Sequence, residues 1–274
     1  MELFTIDQQT CNQDGLCAMV CPLGIIDWHP GQLPVAVKDA DTLCIRCGHC
    51  VAVCPTASFH HQDMGPTICP PVHPEWQLSP EQCEHFLQAR RSIRVYKKQP
   101  VDRETLQRLI NMARYAPTAI NSQGVRWLVI DNRATLDRLA ALVIDWMQWL
   151  NKEMPEMARE LHVERAIGRW QEGIDGILRG APALIIAHAE AANRMAPTSC
   201  TITLSYLELA ATGLGLGTCW AGYFNAAVNT YPPLRQALPL GENQQCFGAM
   251  MVGYPALRYQ RLPTRNKPEI TWVD

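Results

Sequence analysis

No apolar run in this 274-residue chain approaches the roughly twenty residues that a membrane-spanning helix needs; the longest, APALIIAHA from Ala181, suits a buried strand. Neither sign of charge dominates. The 24 Lys and Arg against 26 Asp and Glu leave a net charge of -2, which gives no reason to expect nucleic acid or an anionic membrane as partner. The opening MELFTIDQQT has acidic residues and no apolar signal-type segment, so export into an oxidising compartment is not expected. No Ser/His/Asp set, carboxylate pair or nucleophile stands out, and no side chain is assigned a catalytic role. Helical and strand patterns do not alternate in the short cycle of a doubly wound fold, which leaves an α+β reading.

What is abundant is cysteine. Twelve of them in a chain expected to be cytoplasmic point to thiolates that bind metal rather than pair. Eight positions fall into two matching runs. CIRCGHCVAVCP carries Cys44, Cys47, Cys50 and Cys54, and CNQDGLCAMVCP carries Cys11, Cys17 and Cys21, with Asp14 where the second cysteine of the pattern falls. Zinc competes for any C-x2-C pair, but two runs in register, each closed by Cys-Pro, match the iron-sulfur run C-x2-C-x2-C-x3-C-P instead. Residues 1–62 resemble two-cluster bacterial-type ferredoxins. The crossed ligation of that pattern expects one 4Fe-4S cluster on Cys21, Cys44, Cys47 and Cys50, and a second on Cys11, Cys17 and Cys54 with Asp14 at the remaining corner. Three states compete there: 4Fe-4S with Asp14 bound, 3Fe-4S with Asp14 free, and 4Fe-4S completed by Cys69, Cys83 or solvent. Against a ligand role stands the reading of Asp14-Gly15 as a turn dipeptide.

Residues 63–80 read as a stiff connector, with prolines at 66, 70, 71, 74 and 80 that forbid continuous helix. Ser79-Pro80-Glu81-Gln82 predicts a capped helix over about 80–90, and Asp102 predicts another carrying Leu106, Leu109, Ile110 and Ala113. VRWLVI from Val125, ALIIA from Ala183 and FGAMMVG from Phe247 predict buried strands, and Thr198 to Thr212 a long helix. Residues 81–274 thus form a second, core-bearing α+β domain.

Four stretches of this domain carry candidate binding chemistry. ARRSIRVY sets Arg90, Arg91 and Arg94 around Ser92, a cluster able to hold a phosphate, although a solvated basic helix end explains it equally simply. APTAINSQ offers Pro117, Thr118, Ala119, Asn121 and Gln123 at a loop, chemistry suited to a heterocycle edge or to an ordinary turn. GLGLGTCWAGYF lacks dinucleotide-loop spacing and follows a helix, yet its glycines would let backbone approach a planar ligand near Cys219, Trp220, Ala221 and Gly222. The tail LPTRNKPE adds Arg265 and Lys267.

In this order the four resemble the flavin-binding elements of the nitroreductase family. The resemblance implies an obligate homodimer with FMN at each of two interface sites. It implies phosphate and ribityl contacts from Arg90, Arg91, Ser92, Arg94, Arg265 and Lys267, a ring flanked by Pro117 to Gln123, and a backbone amide from Cys219 to Gly222 facing flavin N5. One departure is that Cys219-Trp220-Ala221-Gly222 stands where many NAD(P)H-dependent members carry Pro-x-Glu-Gly. The fusion supplies another electron source. An external donor such as ferredoxin would feed the clusters, then FMN, then a nitroaromatic, quinone or other conjugated small-molecule acceptor. Three alternatives remain: clusters that are structural staples in an NAD(P)H-driven enzyme, an electron carrier whose acceptor is a protein, and tryptophans 146, 149 and 170 as plain core rather than a substrate slot. Cys200, Cys219 and Cys246 read as buried small residues, and His60, His61, His162 and His188 have no partner in sequence.

Overall fold

The duplicated cysteine runs become a duplicated backbone. Gly15 and Gly48, equivalent in the two runs, both take left-handed conformations (φ 74° and 75°) and open the short helices Leu16–Met19 and His49–Val53. Gln13 and Arg46, also equivalent, are left-handed as well. At Gly15 the chain has no room for a side chain, since a Cβ would lie 2.5 Å from the Trp28 ring. The computed structural model describes residues 2–273.

The chain folds as two units, the first running to Leu78 and including Ile120–Ser122, the second comprising Ser79–Ala119 and the chain from Gln123. In the first, β1 (Phe4–Ile6) pairs with β4 (Phe59–His61), and β2 (Ile26–Asp27) with β3 (Val35–Ala36), both antiparallel. Phe4 and Phe59 pack with ring centroids 4.6 Å apart, and with Leu3, Ile25, Ile26 and Val51 they form a small core against which several cysteines pack.

The second unit is built on a four-stranded antiparallel sheet of order β5-β6-β8-β7, with β5 Arg126–Ile130, β6 Ala183–Glu190, β7 Gly217–Trp220 and β8 Gln244–Gly253. Helices cover both faces. Along β6 the alternation of a strand sends Leu184 and Ile186 to the core shared with helix Arg133–Glu153. Ala183, Ile185 and Ala187 go to the core shared with Arg103–Ala113 and Ala196–Gly213. This two-sided burial is why the strand reads as one apolar run. Ser79 and Gln82 close the expected capping box on helix Pro80–Ala89, and Asp102 accepts the Thr105 amide at 2.7 Å to cap Arg103–Ala113. Three of the four strands lie where the apolar runs predict; β7, hidden in the Gly-rich stretch, was not foreseen. Among the described residues no helix is long and apolar enough to cross a membrane.

Candidate functional site

In the first unit the cysteines gather into two rings. Cys21, Cys44, Cys47 and Cys50 line one cavity with Phe4, Ile26 and Phe59. Cys11, Asp14, Cys17 and Cys54 line a second with Ile6 and Phe59. Each ring therefore combines the front of one run with the last cysteine of the other. Among the described residues no three His, Cys, Asp or Glu side chains converge on a single ion-sized point. Thiols spread around an apolar-walled cavity are the donor set that a multi-atom iron-sulfur body needs.

The surroundings of the sulfurs differ. Burial pushes the Cys50 thiol up to about 11 and raises Cys17, so in the metal-free chain both hold their protons and give them up on metal binding. Burial also works against the Cys54 thiolate, but the Ser58 and Thr56 hydroxyls, with nearby backbone amides, outweigh it and hold the thiol below its ordinary value. The Ser58 Oγ lies 3.3 Å and the Thr56 Oγ1 3.7 Å from Cys54 Sγ. Cys44 Sγ accepts the Arg46 amide at 3.3 Å and lies 3.6 Å from His61 Nε2. Burial lowers the His61 imidazole's pKa. Asp14 Oδ1 accepts the Leu16 amide at 3.1 Å, the bond of an Asx turn, so one carboxylate oxygen is already engaged in the cavity wall. Cys69 packs against the unit's apolar core, and Cys83 is exposed on helix Pro80–Ala89.

In the second unit the expected basic residues are partly brought together. Arg90, Arg91 and Arg265 line one cleft with Gln88 and Thr264. Arg91 donates through Nη2 to the Gln88 carbonyl, while its buried Nε has no hydrogen-bond partner among the described residues, as suits an anion that would complete it. Arg90 Nη1 donates to Glu208 Oε1 at 2.9 Å, a partner the sequence did not suggest. The segment after Arg91 runs along β7, where the Ile93 amide donates to the Thr218 carbonyl at 2.8 Å. The close approach needs Gly217, whose Cβ would lie 2.3 Å from Ile93 Cγ1. Two of the four sequence stretches thus lie side by side. Arg94 and Lys267 are exposed and line none of these clefts.

The other two behave differently. The Ala221 amide donates to the Ala249 carbonyl at 2.9 Å, which leaves Gly222, first residue of helix Gly222–Thr230, as the amide open to a ligand. In the loop after Pro117, the Gln123 amide donates to Thr118 Oγ1 at 3.0 Å. Within the first unit, Asn121 Nδ2 donates to the carbonyls of Ile45 and Arg46 at 3.1 and 2.9 Å. Residues 117–123 line none of the clefts around Arg90. Trp146 is fully buried core, Trp170 packs against the same core, and Trp149 sits partly exposed 6.5 Å from the Tyr231 ring. Cys200, Cys219 and Cys246 are buried as expected, with burial pushing Cys200 up to about 12 and Cys246 up to about 11. Sequence reasoning missed His61; the signal was strand alternation, which sets His61 on the inward face with Phe59 and leaves His60 outside.

A profile described as a 4Fe-4S dicluster domain matches residues 9–58, and that of the Nitroreductase family matches residues 87–254. A protein of Methanothermobacter thermautotrophicus with the provisional name NADH dehydrogenase/NAD(P)H nitroreductase is 24% identical over 189 residues, 68% of this chain and 83% of its own length. A 7Fe ferredoxin of Hydrogenibacillus schlegelii is 41% identical over 54 residues, 20% of this chain and 64% of the ferredoxin. The crystal structure of a nitroreductase with bound FMN from Bacteroides fragilis shares the fold with a TM-score of 0.59 at 23% identity, covering 70% of this chain and 98% of that one. The chain belongs to the nitroreductase family of FMN-dependent oxidoreductases and carries a ferredoxin-type iron-sulfur domain ahead of that body.

Proposed function

We propose that the protein is an FMN-dependent reductase of a nitroaromatic, quinone or other conjugated acceptor, charged one electron at a time through its own clusters by ferredoxin or a similar donor. The observation that carries this reading is the pair of cysteine rings in the same chain as the Arg90, Arg91 and Arg265 cleft. Bound FMN would supply the conversion between one-electron and two-electron traffic that such a route requires. The chain's part is to hold and orient. Arg90, Arg91 and Arg265 would grip the phosphate, assisted by Arg94 and Lys267, with Ser92 beside them. The Gly222 amide would face the ring, as would Pro117, Thr118, Ala119 and Gln123 in a homodimer whose second copy completes the site. In the first unit Cys21, Cys44, Cys47 and Cys50 would hold a 4Fe-4S cluster. Cys11, Cys17 and Cys54 would hold the other, its fourth corner met by Asp14 or left open as 3Fe-4S; the seven-iron relative supports the open state.

The name of the Methanothermobacter relative favours a second reading, an NAD(P)H-driven enzyme with structural clusters. Anaerobic turnover of a panel of acceptors, with reduced ferredoxin and separately with NADH or NADPH, decides between them. Reduction with ferredoxin and not with nicotinamide is expected; turnover with nicotinamide alone overturns the proposal.

A further inference from the structure

A neutral imidazole has one nitrogen that donates and one that accepts, and at His61 the surroundings choose which is which. The Asp63 amide donates to Nδ1 at 3.1 Å, so Nδ1 is the acceptor and the hydrogen sits on Nε2. Nε2 is the nitrogen 3.6 Å from Cys44 Sγ. The ring is held in that pose, for His61 lies at the end of β4 in register with Phe4 and is 7% exposed. The same sulfur accepts the Arg46 amide, whereas Cys54 of the other ring has hydroxyls beside it instead.

From this we infer that His61 is a positioning residue that donates to Cys44 and raises the reduction potential of the cluster on Cys21, Cys44, Cys47 and Cys50, an inference that rests on the ligand reading above. Reduction by a one-electron, low-potential donor adds one electron and moves no proton, and no bond to Nε2 is made or broken. The added negative charge spreads onto the ligand sulfurs, and a donor already aimed at one of them stabilises the reduced state more than the oxidised. Nothing comparable from His61 reaches Cys54, so the effect belongs to one cluster.

The test is an anaerobic redox titration with dithionite, followed by electron paramagnetic resonance, on the full chain and on His61→Phe and His61→Gln. Phe keeps a ring and lacks the donor, while the Gln side-chain amide reaches about as far as Nε2. With iron content unchanged, His61→Phe should shift the one-electron equilibrium of this cluster about tenfold toward the oxidised form, about 59 mV, and leave the other cluster where it was. His61→Gln should recover most of the shift. An unchanged midpoint in iron-replete His61→Phe overturns the inference. If that variant fails to assemble its cluster, wild type and His61→Gln labelled with 15N-histidine decide by electron spin-echo modulation: because His49 also lines this cavity and is kept in both, a histidine nitrogen coupling on the reduced cluster that is lost in His61→Gln is expected, and spectra that are the same in the two overturn the inference. Wild type lacking iron at this site would instead bring down the cluster reading itself.

Discussion

Arg90 and Arg265 line the same cleft but differ in what their removal reports. Arg90→Ala strips a hydrogen-bonded partner from the nearly buried Glu208, a loss on the order of 1–3 kcal/mol that mixes stability with any change in flavin binding. Arg265 is exposed and bonds only weakly to the Thr264 carbonyl, at 3.3 Å. Arg265→Ala should therefore weaken FMN retention by roughly tenfold, the equivalent of a charge-assisted bond, with the thermal midpoint unmoved. Dialysis followed by flavin fluorescence, alongside a melting curve, checks both halves. At Asp14 the bond to the Leu16 amide means that the carboxylate serves the loop whether or not it also meets iron. Carboxylate is the harder and weaker donor for cluster iron, so air should generate a 3Fe-4S signal from this ring alone, and Asp14→Cys should suppress it. A variant that converts as readily as wild type would remove Asp14 from the ligand set.

Among elements, β7 and the Ser92–Arg94 segment are tightly constrained against each other. Gly217→Ala would drive a methyl into the β-branched, buried Ile93, whose backbone is already bonded to Thr218, and relief requires the two to separate. About 1–3 kcal/mol of stability should be lost, with weakened FMN retention because Arg90 and Arg91 move with that segment. Denaturant melts and flavin titration of the variant measure the two effects. Much at this scale was readable from sequence. Ser79, Gln82 and Asp102 announce helix starts by local chemistry, and β5, β6 and β8 are apolar runs because both faces are buried. β7 escaped because four residues, Gly-Thr-Cys-Trp, carry too little pattern, and its place at the sheet edge is set by β8. Likewise the left-handed conformation of Ile120 runs against the preference of a β-branched residue, although Asn121 beside it favours that region, and the Asn121 bonds to Ile45 and Arg46 span some seventy-five residues of sequence.

For the whole molecule, the proposed route predicts a separable defect. Cys47→Ala should lose iron from its ring, keep FMN, and no longer be reduced by ferredoxin, while dithionite still bleaches the flavin directly. Unchanged ferredoxin-driven turnover in that variant would make the clusters bystanders. The membership of Ile120–Ser122 in the first unit has a consequence for the order of synthesis. A ribosome making this chain finishes Leu78 and must still add roughly forty residues, some 2 to 8 seconds of elongation, before Asn121 can be laid across the Ile45 and Arg46 carbonyls. During that interval the Ile45 and Arg46 carbonyls lack the Asn121 amide, so the loop bearing Cys44 and Cys47 is made well before it can be fastened from residue 121.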